Sequence, residues 1–385
     1  MIIGGFQACG VHAGLKADNA LDFALITADG PAAGAAIFTR NLVQAAPVVF
    51  DRALMKRAAG NIRAVVINSK NANACTGAQG DRDVARTAQL VRRALSLPEE
   101  AGVFVMSTGV IGVPLQMERI EEGIRKAVEC ARPEGLSDVA RAIMTTDTRP
   151  KTAMATCGDV RLAGVAKGAG MIHPDMATML SVILTDAALT PEVLTTVLGY
   201  AADRSFHCIS VDGDTSTNDT LLVLASGLSG VAPPLEQFRD ALTTVCMDLA
   251  RQIAFDGEGA SKHVTIHVKN AGSFDAARRV GRVVATSPLV KTALYGRDAN
   301  WGRVLAAAGR AQVPFIPERA SLHFGGLKVL EDGRPLPLDE ARALEILSEQ
   351  TISMHLDLGG EPGEATVWTC DFSHDYVTIN GAYRT

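Results

Sequence analysis

The sequence lacks the features that would direct it to a membrane or to a nucleic acid. No apolar run approaches the roughly 20 residues that a membrane-spanning helix needs. The net charge is only −5 at pH 7, so neither a nucleic acid nor an anionic lipid surface is expected as a partner. Residues 1–14 contain no basic segment followed by an apolar core, so no signal peptide is expected. These absences predict a cytoplasmic protein with neither a nucleic-acid nor a membrane partner.

The spacing of the cysteines and histidines gives no sign of a disulfide framework or of a metal site. The seven cysteines are odd in number and no two form a C-x-x-C pair, which favours reduced thiols over a disulfide framework. Cys75 is expected to be a small buried side chain rather than a nucleophile. The eight histidines show no metal-ligand spacing, and His263 and His267 share a segment that is typical of a strand. We therefore predict that no metal is bound.

Aromatic residues make up only 5% of the chain, so its core should be built mainly from aliphatic side chains. Periodicity predicts strands at 21–27, 63–68, 102–106, 179–184, 220–225, 263–268 and 376–379, and helices at 83–97, 114–131, 191–204, 234–253 and 338–354. The strands and helices do not follow strict βαβ order. The pattern therefore favours an α/β fold, more closely an α+β layered sandwich, with no obvious linker.

The most informative stretch is residues 167–180, KGAGMIHPDMATML, a glycine-rich and proline-interrupted turn that ends in Thr178. A buried strand should begin directly after it. A threonine hydroxyl is a weak nucleophile and needs a nearby base. Cutting the chain before Thr178 would free an α-amine with a pKa of about 7.7–8.0, which can take the hydroxyl proton. The junction predicts self-cleavage between Ala177 and Thr178 by an N-to-O acyl shift.

Simpler interpretations compete with each of these motifs. A threonine that merely starts a strand is common. Lys167 in a glycine-rich loop suggests phosphate binding, but the G-x-x-x-x-G-K-[ST] pattern is absent. Residues 212–219 resemble a calcium loop at first, yet Thr217 stands where an EF-hand needs glycine and Val223 where it needs glutamate. We expect a structural turn that shapes the site.

These motifs together resemble one family. Residues 167–180 are similar to the self-cleavage motif of the bacterial ornithine acetyltransferases, the glutamate N-acetyltransferases of arginine biosynthesis. Further family motifs occur in the family's order along the whole chain: residues 4–6, 71–77, 107–112, 145–148, 211–219, 256–260, 296–302 and 375–385. Any one of them could arise by chance, but the ordered set is specific.

The resemblance implies an activity and a set of site residues. The acetyl group of N-acetylornithine would pass to the hydroxyl of Thr178 and then to glutamate, in ping-pong order. The hydroxyl of Thr108 and the amide of Gly109 would form the oxyanion hole. The residues implied in substrate binding, besides Thr178, are Thr145, Lys167, Glu258, Asn380 and Thr385. The assignment of Thr145 is open, since Thr146 or Thr148 could take its role in substrate binding.

The resemblance also implies an organisation. Residues 1–177 would become the α chain and residues 178–385 the β chain, with one shared core and an α2β2 heterotetramer. The fold implied is the ornithine acetyltransferase fold, whose site resembles that of N-terminal-nucleophile hydrolases but with distinct connectivity. No cofactor is expected. The sequence leaves open whether acetyl-CoA is an alternative acetyl donor. It also leaves open whether the protein acts in primary arginine synthesis or in a specialised pathway. Two departures from the family pattern are His173, in place of a small residue, and Ser69-Lys70, in place of Ser-Gly. Because a histidine titrates near neutral pH, His173 could alter the rate or the pH dependence of self-cleavage.

Two other functions stay open at this point. An autoprocessing amidohydrolase or peptidase would use the same Thr178 but resolve the ester with water instead of an amine. A non-catalytic protein could use the glycine-rich loop for binding alone. The implied substrate-binding residues favour amino-acid substrates, and hence the transferase: Lys167, Glu258, Asn380 and Thr385.

Overall fold

The computed structural model describes residues 1–173 and 179–382. The expected cleavage site at Ala177 and Thr178, and the expected substrate-binding residue Thr385, lie outside these ranges. Within them, no helix is both long and apolar enough to cross a bilayer.

The first sheet contains the strands β1 to β8 in the order β4-β3-β2-β8-β7-β6-β5, with β1 also paired to β2. The strands are β1 (Phe6–Val11), β2 (Phe23–Phe38), β3 (Ile62–Asn68), β4 (Gly102–Ser107), β5 (Lys151–Cys157), β6 (Val160–Lys167), β7 (Leu180–Thr185) and β8 (Thr220–Ala225). β7 runs parallel to β8 and antiparallel to β6. The start of β7 therefore lies between the end of β6 and the start of β8.

The second sheet has the order β12-β11-β10-β13-β9-β14. Its strands are β9 (His263–Lys269), β10 (Ser321–Phe324), β11 (Leu327–Glu331), β12 (Arg334–Pro335), β13 (Thr351–Asp357) and β14 (Ala365–Cys370). The helices are α1 (Ala46–Ala58), α2 (Gly77–Ala94), α3 (Met117–Cys130), α4 (Leu136–Ala142), α5 (Pro191–Asp203), α6 (Leu235–Phe255), α7 (Phe274–Ala285), α8 (Pro288–Tyr295), α9 (Trp301–Gly309), α10 (Glu340–Ser348) and α11 (His374–Ala382).

Helix α6 connects the two layers, because it packs against β5 and β6 of the first sheet and against β9 and β14 of the second. Strand β7 is buried on both faces. Ile183 joins the core that contains α6, whereas Val182 and Leu184 join the core on the opposite face. A strand covered on both sides reads as a continuous apolar run, as residues 179–184 do. The predicted layered α/β fold is confirmed.

Several predicted element boundaries are wrong. The helix expected at 114–131 begins at Met117, so Pro114 lies outside it. The helix expected at 338–354 ends at Ser348, and Thr351–Asp357 is instead strand β13, paired in parallel with β9. Pairing with β9, rather than the local sequence pattern, makes residues 351–357 a strand. The strand expected at 376–379 is part of helix α11, which buries none of its residues and so lacks a helical apolar stripe.

The cysteine prediction is also wrong in part. A disulfide joins Cys9 in β1 to Cys130 at the end of α3, with 5.9 Å between the Cα atoms. The two residues are 121 positions apart, so no local spacing could reveal the pair. Cys75 is exposed rather than buried, since a left-handed turn with φ of 55° turns its side chain outward.

Candidate active site

A cavity of about 280 Å³ brings together six residues that the sequence singled out. They are Thr108, Gly109, Thr145, Lys167, Glu258 and Asn380. They come from distant stretches of chain: the ends of β4 and β6, the loops before β5 and after α6, and helix α11. Met179 and Leu180, at the start of β7, also line the cavity. The cavity therefore adjoins the residue that directly follows Thr178 in the chain.

Strand register explains part of this convergence. Lys167 is the last residue of β6 and pairs with Leu180, the first residue of β7. Leu180 in turn pairs with Thr220, the first residue of β8. Asn218, two residues before β8, donates a hydrogen bond of 2.8 Å to the carbonyl of Ser107 at the end of β4. The ends of four strands are thus held around one opening.

Thr108 and Gly109 present two hydrogen-bond donors side by side. Lys167 Nζ donates to Thr108 Oγ1 at 3.2 Å, which leaves the hydroxyl proton free to donate elsewhere. The amides of Thr108 and Val110 donate to backbone carbonyls, whereas the Gly109 amide meets no acceptor among residues 1–173 and 179–382. A hydroxyl and an amide in this arrangement can stabilise a negative oxygen.

Only glycine fits at position 109. Its φ is +129°, and an added Cβ would lie 2.2 Å from the carbonyl carbon and oxygen of Lys70. A side chain here would have to displace backbone atoms. The close approach keeps the Gly109 amide at the cavity wall.

Lys167 is a buried cation facing the cavity, with only 9% of its surface exposed. Burial lowers its pKa, and the neighbouring acidic residues, Asp147 foremost, oppose this shift. A partly desolvated ammonium is suited to bind a ligand carboxylate, because that contact replaces lost hydration.

Glu258 lies opposite, held by two contacts. Its amide donates to the carbonyl of Ala169 at 3.0 Å, and its Oε2 accepts from Asn380 Nδ2 at 2.8 Å. A Cβ on Gly170 would lie 2.4 Å from the Glu258 carboxyl, so the glycine-rich turn must carry glycine where that carboxylate packs against it. The carboxylate and the amide of Asn380 together form a polar patch suited to an ammonium group.

The glycines that flank Glu258 have a different role from the one expected. The sequence suggested that they let the backbone approach a ligand. In the structure, a Cβ on Gly257 would lie 2.8 Å from Cys370 Sγ, and one on Gly259 would lie 2.4 Å from the amide nitrogen of Tyr376. They allow the chain to pack against β14 and α11, and so help to place Asn380.

The segment 145–148 contributes its first two threonines to the cavity. Thr145 and Thr146 line it, whereas the hydroxyl and amide of Thr148 both donate to Asp256 outside the cavity wall. Of the three threonines that the sequence left open for substrate binding, Thr145 and Thr146 line the cavity and Thr148 does not.

A buried ion cluster lies behind the glycine-rich turn. Lys151 is fully buried and donates to Asp147 and to Asp256, each at 2.6 Å. Asp147 also accepts from the amides of Gly168 at 2.6 Å and Thr145 at 2.9 Å. Burial alone would raise the pKa of Asp147, but the charges of Lys151 and Lys167 and the Gly168 amide bring it to about 2. The cluster fixes both loops that carry the cavity residues.

Residues 212–219 form the remaining wall, as the expectation of a site-shaping turn anticipated. Asp212 accepts from the amides of Met171 at 2.6 Å and Ile172 at 2.8 Å, and so holds the end of the glycine-rich turn. Sequence reasoning missed Asp212, Asp219 and Tyr376 as individual wall residues. The only signal for Asp212 and Asp219 was their presence in the family motif.

His173 has well-defined partners in the structure. Arg282 donates to His173 Nε2 at 2.7 Å, and His173 Nδ1 lies 3.1 Å from Ser210 Oγ. Since an arginine can only donate, Nε2 acts as an acceptor and the ring is neutral in this arrangement. Protonation of His173 would therefore disrupt its contact with Arg282. His173 lies four residues before Ala177 in the sequence, close to the expected cleavage site.

Among the described residues, no group of three or more histidine, cysteine, aspartate or glutamate side chains is arranged to hold a metal ion.

Comparison with known proteins agrees with the cavity and the fold. The ArgJ family model matches residues 7–385. The arginine biosynthesis bifunctional protein ArgJ of Symbiobacterium thermophilum is 49% identical over 394 aligned residues, covering 99% of this chain and 97% of that protein. The mitochondrial ArgJ protein of Podospora anserina is 45% identical and covers 99% of this chain and 88% of its own length. Because relatives include a mitochondrial protein, the cytoplasmic location stays a prediction.

Among solved structures, the crystal structure of ArgJ from Bacillus halodurans is 36% identical, with a TM-score of 0.50. The match covers 51% of this chain and 96% of that chain. The family match spans nearly all of the sequence, and the curated relatives match it from end to end. This protein therefore belongs to the ArgJ family and is an acetyltransferase of the arginine-biosynthesis type.

Proposed function

We propose that this protein moves the acetyl group of N-acetylornithine to glutamate through an acetyl ester on Thr178, after cutting itself between Ala177 and Thr178. One observation carries the proposal: an oxyanion-type donor pair, a buried lysine and a glutamate–asparagine patch converge on a single cavity beside Met179. Met179 is covalently bonded to Thr178, so the proposed nucleophile directly precedes a residue that lines the cavity.

The two products of cleavage would remain one folded unit. Residues 1–177 supply β1 to β6, and residues 178–385 supply β7 and β8 of the same sheet. Two full strand pairs, β6 with β7 and β2 with β8, join the proposed chains.

The cleavage proceeds as an acyl shift followed by hydrolysis. Thr178 Oγ attacks the carbonyl carbon of Ala177, the C–N bond breaks, and an ester forms while the hydroxyl proton ends on the nitrogen. Water then opens the ester and leaves a carboxylate on Ala177. The hydroxyl of Thr108 and the amide of Gly109, which line the cavity, would stabilise the negative oxygen of each tetrahedral intermediate.

The same groups would then serve acetyl transfer. The new α-amine of Thr178, with a pKa of about 7.7–8.0, takes the hydroxyl proton as Oγ attacks the acetyl carbon of N-acetylornithine. Ornithine leaves as the protonated amine, and the amine of glutamate attacks the ester in the second half-reaction. Lys167 is suited to the substrate α-carboxylate, and Glu258 with Asn380 to an ammonium group. Both substrates are amino acids, so one set of contacts can serve both.

The proposal is tested by mixing the enzyme with N-acetylornithine and glutamate and following products by mass spectrometry. Formation of N-acetylglutamate and ornithine in equal amounts is expected. Release of acetate without N-acetylglutamate would instead establish the hydrolase alternative. Intact-mass measurement before and after N-acetylornithine is added should show two chains, the second gaining one acetyl group.

Replacing Thr108 with valine should slow both reactions. Valine keeps the shape of threonine but removes the hydroxyl donor, and the loss of one such donor typically costs about 10²–10³-fold in rate. We expect both precursor cleavage and acetyl transfer to slow by this factor, with little change in KM. Thr195→Val on the exposed surface of α5 is the control and should change neither rate. A normal cleavage rate in Thr108→Val would remove Thr108 from the mechanism.

We also propose that the transfer needs no cofactor, because the hydroxyl of Thr178 itself carries the acetyl group between two amines. Acetyl-CoA as a second donor is a separate question about the same ester. Incubation with labelled acetyl-CoA alone decides it: label on the Thr178-containing chain would establish that donor, and an unlabelled chain would exclude it.

For the assembly we propose two copies of each chain. The native mass, measured by light scattering, should equal twice that of the 385-residue precursor, and denaturation should release two kinds of chain. A native mass equal to one precursor would reject the α2β2 assignment.

A further inference from the structure

Asp219 is a cavity residue to which the proposed function gives no role. It precedes β8 and lies beside the start of β7, because Leu180 pairs with Thr220 and the Thr220 amide donates to the Met179 carbonyl at 3.0 Å. Its side chain is only 2% exposed and forms part of the cavity wall with Met179. Register thus places this carboxyl next to the residue that follows Thr178.

The Asp219 carboxyl has unused hydrogen-bonding capacity. Its Oδ2 is buried and has no hydrogen-bond partner in the described part of the chain. Burial raises its pKa well above the usual range, and Ser216, the charge of Lys167 and the Met179 amide only partly oppose this. Burial therefore favours the neutral form of this carboxyl, which has one O–H donor and one acceptor oxygen.

The other cavity carboxyls that the structure describes in detail are already engaged. Asp212 accepts two backbone amides of the glycine-rich turn, and Glu258 accepts from Asn380. Asp147, just behind the wall, is ionised and bound to Lys151, with a pKa of about 2. Two buried carboxyls whose environments shift their pKa values in opposite directions are a recurring arrangement in sites that transfer protons.

We propose that Asp219 is the acid–base group that serves the nitrogen of Thr178 during self-cleavage. As Oγ attacks the Ala177 carbonyl, the acceptor oxygen of Asp219 takes the hydroxyl proton and its O–H gives a proton to the departing nitrogen. The C–N bond breaks, the C–O bond forms, and Asp219 ends neutral, so no net proton is consumed. This inference rests on the proposed self-cleavage and assigns its proton transfer.

The test is the cleavage rate of Asp219→Asn. Asparagine keeps the size and polarity of the side chain but cannot transfer a proton in this way. The chain is synthesised in a cell-free system, and the fraction cut is followed by denaturing electrophoresis and intact mass. We expect cleavage at least about 100-fold slower than in the wild type, the lower range for general acid–base catalysis. Asp219→Glu, which retains an acid, should recover part of the rate.

Asp51 offers a matched control, since it is also fully buried with a raised pKa but accepts from the Val105 amide and does not line the cavity. Asp51→Asn should be cut at the wild-type rate. Cleavage of Asp219→Asn at that rate would overturn the role of Asp219 and leave the proposed function intact. If the wild-type chain is not cut at all, the proposed self-cleavage itself fails.

A second measurement needs no variant and so does not depend on the folding of one. The neutral form of Asp219 is the competent form, so the wild-type cleavage rate should fall as the pH rises through its raised pKa. The charged and titratable residues that line the cavity with Asp219 are Lys167, Asp212, Asp214, Glu258 and Tyr376. A rate that stays constant or rises across the alkaline range would contradict the proposal.

Discussion

Replacing Thr178 with alanine will leave one uncut chain of 385 residues that makes no N-acetylglutamate. Alanine lacks the oxygen that must attack Ala177 and later carry the acetyl group, so both reactions lose their nucleophile. Removal of a nucleophile in comparable acyl-transfer sites costs about 10⁶-fold in kcat, and we expect at least about 10⁴-fold here. Denaturing electrophoresis reports the cut, and mass spectrometry of the reaction mixture reports the product.

Two companion variants separate chemistry from folding in this experiment. Thr178→Ser keeps a hydroxyl and should still be cut and acetylated, although at a different rate. Thr185→Ser, at the far end of β7, changes a buried threonine of the same strand without touching the cavity and should be cut normally. If Thr178→Ala were still severed and still produced N-acetylglutamate at the normal rate, the acetyl-threonine mechanism would be wrong.

Much of this site could be found from the sequence because its chemistry is concentrated in short motifs. Thr108-Gly109, Lys167 and Glu258 stand in segments whose glycines or strand ends are visible without a structure, and the structure brings them to one cavity. The strands 220–225 and 63–68 were equally clear, since runs of β-branched and aliphatic residues bounded by polar residues are typical of buried strands.

What the sequence could not show was set by contacts between distant residues. Lys151 has no motif of its own; only the fold brings Asp147 and Asp256 to either side of it. The position of Asp219 beside Met179 depends on the parallel register of β7 and β8. The sequence predicts a strand at 376–379 because none of the residues of α11 is fully buried, so no apolar periodicity marks this segment as helical.

The buried cluster leads to the largest expected effect on stability. Lys151→Met removes the lysine that bridges Asp147 and Asp256, and leaves two buried carboxylates without that partner. Breaking a buried ion pair by removing one member typically costs about 3–5 kcal/mol in the free energy of unfolding. The cost exceeds that of a surface pair because water cannot solvate the remaining charge.

Urea unfolding should measure this loss in the uncut Thr178→Ala background, where a single chain makes the transition simpler to interpret. Lys328→Met is the control, because Lys328 pairs with Glu331 at the surface, where such pairs contribute about 0–1 kcal/mol. Adding Asp147→Asn and Asp256→Asn to Lys151→Met should recover part of the stability, since the unpaired charges are then gone. An equal loss in Lys151→Met and Lys328→Met would mean that the cluster does not hold the glycine-rich turn. Because Asp147 binds the Gly168 amide, a confirmed loss would link the stability of this core to the placement of Lys167 in the cavity.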